Sequence, residues 1–130
     1  MAVELIKTGI PGLDQVLKGG LRRNSNLLIT GSPGTGKTIM ALQFVYYGAK
    51  DYNEKGVFIT TEENIDDIRT FAKNLGMDIS ALEKQNKIFL VQKPISTLKG
   101  GLASVKGLID FIKKNDVKRV ALDSLIFFEY

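Results

Sequence analysis

The 130-residue chain contains neither cysteine nor histidine. Without cysteine it can form no disulfide and no thiolate-ligated metal site. Without histidine it has no imidazole general base, no histidine-dependent nucleophile and no histidine metal site. Chemistry must therefore rest on carboxylates, lysine, hydroxyls, backbone amides and a metal carried in by a ligand. There is also no unbroken run of about 18 apolar residues, the length a membrane helix needs. The opening stretch MAVELIKTGIPGLDQVLKGG holds no signal-peptide apolar core. The chain reads as cytoplasmic. Its net charge of +4 permits anionic ligands but is too mild to argue for nucleic acid by itself. The length suits one domain, residues 1–130.

What is present is an alternation of strand and helix signals. Pro11 to Leu17 reads as a short helix with Pro11 at its start and Gly19 as its stop. Ser25–Gly31 reads as a strand and Lys37–Lys50 as a helix apolar on most sides, hence buried. Gly56–Glu63 is a second, continuously apolar strand. Asn64 caps a following helix, with Asp66 and Asp67 in its first turn. A helical turn near Ser80–Lys84 precedes a third strand, Lys87–Gln92. Leu102, Val105, Leu108, Ile109 and Ile112 share one face of a helix ending near Asn115. Lys118–Ser124 is a fourth strand. This order predicts an α/β fold with a mainly parallel sheet covered on both faces.

The segment Gly31, Ser32, Pro33, Gly34, Thr35, Gly36, Lys37, Thr38 is a full G-x-x-x-x-G-K-[ST] phosphate loop between a predicted strand and a predicted helix. Consecutive backbone N–H groups of such a loop form an anion nest, and glycine permits the left-handed conformations it needs. The helix N-terminus, with Ile39 in its first turn, adds its positive dipole end. Lys37 is placed to reach the β and γ phosphates, and the Thr38 hydroxyl to coordinate Mg²⁺. Asp123 ends an apolar strand, where a carboxylate can hold a Mg²⁺ water. Glu62 and Glu63 close the second strand. Either one polarises the attacking water, or both merely sit at a helix N-terminus. The basic segment from Lys87 to Arg119 reads as a solvated face, because no aromatic residues interleave with its charges. Phe44, Tyr46 and Tyr47 read as core rather than as an adenine platform.

Taken together, TGIPGLDQVLKGGL, GSPGTGKT, ALQF, GVFITTEE and VALDS resemble the KaiC-like branch of the RecA superfamily of P-loop ATPases. The resemblance spans nearly the whole chain. It implies a RecA-like fold, ATP and Mg²⁺ as ligands, Asp123 as the Walker-B aspartate and a water-activating base among Glu62 and Glu63. It also implies assembly into rings or filaments. Family domains continue past the Walker-B strand, so the expected core is incomplete. The flanking strands then pair directly, or a complementing chain fills the gap, or the chain is part of a longer one. The segment Arg22–Asn26 departs from the glycine-containing turn common in the family. Three functions follow. The first is a Mg-dependent ATPase. The second is a nucleotide-binding assembly or regulatory module with little hydrolysis of its own. The third is a DNA-binding recombinase relative, which the modest charge disfavours. Protein kinase chemistry is disfavoured, since its catalytic-loop histidine is missing.

Overall fold

The computed structural model describes residues 4–23, 36–60, 63–92 and 102–123, with the side chains of 37 and 102–105 left aside. The elements are β1 (Leu5–Ile6), α1 (Leu13–Val16), β2 (Leu21–Arg22), α2 (Lys37–Asp51), β3 (Gly56–Thr60), α3 (Ile65–Asn74), α4 (Ile79–Lys84), β4 (Ile88–Gln92), α5 (Leu102–Lys114) and β5 (Arg119–Asp123). The predicted strand Ser25–Gly31 lies outside the described residues.

Strands β4, β3 and β5 form a parallel sheet in that order. Gly56 pairs with Ile88 and Arg119, and Thr60 with Gln92 and Asp123. Every residue of the central strand β3 is buried, as a strand covered on both faces requires, hence its unbroken apolar run. Alternation of side chains divides the core in two. Phe58, Ile88 and Ala121 face Leu42, Val45, Tyr46 and Ala49 of α2, with Ile68, Ala72, Ile79 and Leu82 of α3 and α4. Val57 and Ile59 form the opposite layer, against which Phe89, Leu108, Phe111 and Ile112 pack. Each side chain fully buried here contributes about 1.5–3 kcal/mol. Helices thus cover both faces, as the sequence predicts. Of the predicted apolar face of α5, Leu108 and Ile112 pack inward while Ile109 is 44% exposed; the side chains of Leu102 and Val105 lie outside what is described. Phe111 takes the inward place, its ring edge-on to Phe89 at 5.1 Å.

Local chemistry fixes the element ends. Asn64 accepts a hydrogen bond from the Asp66 N–H at 2.7 Å and caps α3, as expected. The start of α1 differs from the prediction. Pro11 and Gly12 form a turn closed by the Leu13 N–H on the Ile10 carbonyl. Gly12, at φ 82°, takes the left-handed place of a type II turn, so the helix begins only at Leu13. After α1, Gly19 has a positive φ of 120°, in keeping with a stop there, and Lys18 just before it takes the left-handed place at φ 57°. Its N–H bonds the Gln15 carbonyl and that of Gly19 bonds Asp14, a Schellman ending. Gly76, Asn86 and Asp116 play the same part after α3, α4 and α5.

Beneath the amino ends of the strands lies a polar knot that the sequence reading does not anticipate. Arg119, counted there as part of a solvated basic face, is only 1% exposed. A buried guanidinium is costly unless its donors are satisfied. Here Nε and Nη2 donate to Glu54 Oε1 at 3.1 and 2.9 Å, Nη1 to the carbonyls of Thr8 and Phe44 at 2.9 and 3.1 Å, and Nη2 also to the Lys7 carbonyl. The Phe44 ring lies 4.7 Å from the guanidinium carbon, a cation–π distance. Gly48 makes room for it, since a Cβ there would come within 2.3 Å of Arg119 Cδ. Arg119 thereby fastens the N-terminal segment to α2 and β5. Asp14 shapes that segment from within, accepting from the Thr8 N–H and hydroxyl at 2.8 Å each and from the Gly9 N–H at 3.1 Å. The TGIPGLD stretch therefore docks at the amino end of the sheet. Gly9 sits so close to Tyr47 that a Cβ would meet that side chain at 2.5 Å.

Candidate functional site

At the opposite, carboxyl end of the strands, helix α2 starts beside the end of β5. Gly36 precedes the helix at φ 90°, ψ 11° and offers no side-chain cap. This is the left-handed conformation that glycine adopts without strain. The first helical hydrogen bond runs from the Met40 N–H to the Gly36 carbonyl. The N–H groups of Lys37, Thr38 and Ile39 come before that bond and carry the positive end of the helix dipole. Such a terminus is suited to phosphate.

The two residues predicted to handle the metal meet here. Thr38 Oγ1 donates to Asp123 Oδ2 at 3.2 Å, joining positions 85 residues apart. Strand parity explains the meeting. Arg119, Ala121 and Asp123 share the face that α2 covers, so the last of them reaches the helix start. Both groups present hard oxygens, and both are half-buried. Among the described residues no group of three or more acidic, cysteine or histidine side chains could cage an ion. A carboxylate beside a hydroxyl fits Mg²⁺, which keeps waters and binds largely through substrate phosphates.

The acidic pair is less simply arranged than the sequence suggests. Strand β3 is described over Gly56–Thr60, and Glu63, the predicted limit, stands outside it. Thr60 Oγ1 accepts the Glu63 N–H at 3.0 Å, a local side-chain bond in place of a ladder bond. Glu63 is exposed and immediately precedes the cap of α3. Glu62, the loop residues Gly31, Ser32, Pro33, Gly34 and Thr35, and the Lys37 side chain lie outside what is described. The aromatic cluster is core, as read: Tyr46 is buried, and Phe44 and Tyr47 pack against the same layer. Lys106, Lys113 and Lys114 are exposed on α5. No described helix is long and apolar enough to cross a membrane.

Sequence reasoning missed Thr60, Glu54, Gly48 and Arg119. One signal was available for Arg119: it stands at an inward position of β5, two residues from Ala121 and four from Asp123, where a charge must find partners.

Comparison with known proteins extends these observations. The family described as "ATPase: KaiC" matches residues 6–130. The circadian clock oscillator protein KaiC of Prochlorococcus marinus subsp. pastoris is 39% identical over 139 residues, covering 100% of this chain and 27% of that protein. A UPF0273 protein of Methanocaldococcus jannaschii is 36% identical, covering 92% of this chain and 55% of its own length. The crystal structure of a KaiC-like protein from Pyrococcus horikoshii superposes with a TM-score of 0.86 at 35% identity, over 98% of this chain and 56% of that one. The chain thus spans about a quarter of the cyanobacterial relative and about half of the archaeal ones.

Proposed function

The chain belongs to the KaiC family of P-loop ATPases, and from that premise we propose that it binds ATP with Mg²⁺ at the carboxyl end of its sheet and hydrolyses it. The observation that carries this reading is the 3.2 Å contact between Thr38 and Asp123. It brings the last residue of the phosphate-loop motif to the carboxylate that ends β5.

In this reading residues Gly31 to Gly36 wrap the phosphates with backbone N–H groups, and those of Lys37, Thr38 and Ile39 continue the cradle. Lys37 neutralises charge on the β and γ phosphates. Thr38 and Asp123 would hold the metal. When bound, Mg²⁺ supplies charge neutralisation across the transferring phosphoryl group. Glu62 or Glu63 orients and deprotonates the water that attacks the γ phosphorus in line with the departing ADP oxygen. We also read residues 1–130 as one domain that assembles with further copies of itself or with a complementing chain.

Titration calorimetry with Mg-ATP tests the binding half. Wild-type chain is expected to bind, and Lys37→Ala to lose about 10–100-fold in affinity through the missing charge-assisted contacts. Equal affinity in both would remove the phosphate loop from the function. Phosphate release tests the chemical half. Glu62→Gln or Glu63→Gln is expected to abolish turnover while binding persists. Binding without turnover in the wild type would instead assign the chain as a nucleotide-sensing assembly module.

A further inference from the structure

The described residues contain three buried polar or charged side chains: Thr8, Thr60 and Arg119. Two belong to the knot at the amino end of the sheet. Thr60 stands alone at the carboxyl end, 2% exposed and paired in register with Asp123. Burying a hydroxyl there costs free energy unless it is hydrogen-bonded. Valine would fill the same space in a strand without that cost. The hydroxyl does have one bond, taking the Glu63 N–H at 3.0 Å.

That bond ties the Glu63 nitrogen to the Thr60 side chain, and Asn64 follows at once as the cap of α3. The Glu63 backbone is thereby tied to the strand position that faces Asp123 across the ladder.

We propose that Thr60 is a positioning residue for catalysis: its hydroxyl holds the Glu63 backbone in register with the Asp123 end of β5. The proposal rests on the ATPase reading above. It assigns Thr60 no contact with nucleotide and no proton transfer. Its effect is to fix where Glu63 stands relative to Asp123.

The test compares Thr60→Val, which keeps the volume, with Thr60→Ser, which keeps the hydroxyl. Hydrogen exchange of the Glu63 amide, ATP affinity and turnover are measured on each. In Thr60→Val the amide is expected to exchange about tenfold faster, as loss of one hydrogen bond implies. Turnover should fall about tenfold while ATP affinity stays within about twofold, the pattern of a group needed only in the transition state. Thr60→Ser should restore both. Unchanged Glu63 exchange in Thr60→Val overturns the proposal. So does faster exchange with unchanged turnover, a parallel fall in affinity and turnover, or failure of serine to rescue. If the wild type has no turnover, the ATPase reading fails separately, and catalytic positioning is overturned with it. The Glu63 exchange then still reports whether Thr60 holds that backbone.

Discussion

The two ends of the same three strands use polar groups in opposite ways. At the amino end, Arg119 is 1% exposed and spends five hydrogen bonds on protein partners. At the carboxyl end, Asp123 is half-buried beside a helix N-terminus and accepts a hydrogen bond from the Thr38 hydroxyl. The first arrangement satisfies every donor of its cation internally, which is what holding a chain together requires. The second sets a carboxylate and a row of helix-start N–H groups toward a place where phosphate and metal can sit. Both lie on the α2 face of one strand, four residues apart. Polarity and position therefore do not by themselves distinguish a site from a clamp; the neighbouring groups do, carbonyls and a carboxylate around Arg119 against a helix start and a motif hydroxyl beside Asp123.

Breaking the clamp should have the largest effect. Arg119→Ala leaves Glu54 and the carbonyls of Lys7, Thr8 and Phe44 without their cation. Removing one partner of a buried pair costs about 3–5 kcal/mol, to be read by urea unfolding. The same variant should leave ATP affinity of the folded fraction within about twofold, because the helix start lies at the other end of α2. A loss confined to nucleotide binding would erase the distinction drawn between the ends.

The converse experiment is next in size. Asp123→Ala is expected to weaken Mg-dependent ATP binding by about 10–100-fold while changing unfolding stability by less than about 1 kcal/mol. Calorimetry with and without Mg²⁺ separates the metal contribution from the phosphate contribution. A variant that unfolds but binds normally would make Asp123 a structural residue, the role that Arg119 has.

Much of this molecule is legible in its sequence, and the illegible part has a common cause. The order of elements from α2 to β5, the Asn64 cap and the meeting of Thr38 with Asp123 follow from periodicity and from one local motif, whereas the two-residue strands β1 and β2 carry no such signal. Arg119 is illegible because its partners come from Lys7, Thr8, Phe44 and Glu54, scattered over the chain and mostly backbone carbonyls. A carbonyl has no residue identity to read. Thr60 escaped notice for a related reason. Its hydroxyl takes the Glu63 N–H, yet β-branched Thr60 looks like any other strand residue. Lys18 and Asp116 hold left-handed positions for which glycine is the usual signal.

Gly48 offers a finer test of the clamp. In a helix interior, glycine to alanine ordinarily stabilises by about 0.5–1 kcal/mol. Here the added Cβ would approach Arg119 Cδ, Nε and Cζ at 2.3, 2.4 and 2.8 Å. Gly48→Ala should therefore destabilise by about 1–3 kcal/mol, the cost of overpacking. In an Arg119→Ala background the sign should reverse, with alanine now favourable by its helix propensity. A double-mutant cycle in which the two changes simply add would show that Gly48 is not there for Arg119.

The smallest effect expected lies one layer further from the sheet, at Asp14. Burial acts to raise its pKa, but the hydrogen bonds from Thr8 and Gly9 and the charge of Lys7 outweigh it, so the carboxyl is held below the usual value of 3.8. The folded state therefore binds fewer protons at Asp14 than the unfolded state does as acid is added. Its contribution is complete above the unfolded value, and it is lost as pH falls from there through the lower folded value. Asp14→Asn keeps the shape and one acceptor but removes the charge. It should cost about 1 kcal/mol near neutral pH, and the gap to wild type should narrow below about pH 4 as the wild-type carboxyl protonates. Urea midpoints measured across that range read the difference directly. A gap that stays constant into acid would mean that the Asp14 charge contributes nothing and that shape alone holds the N-terminal turn against α2.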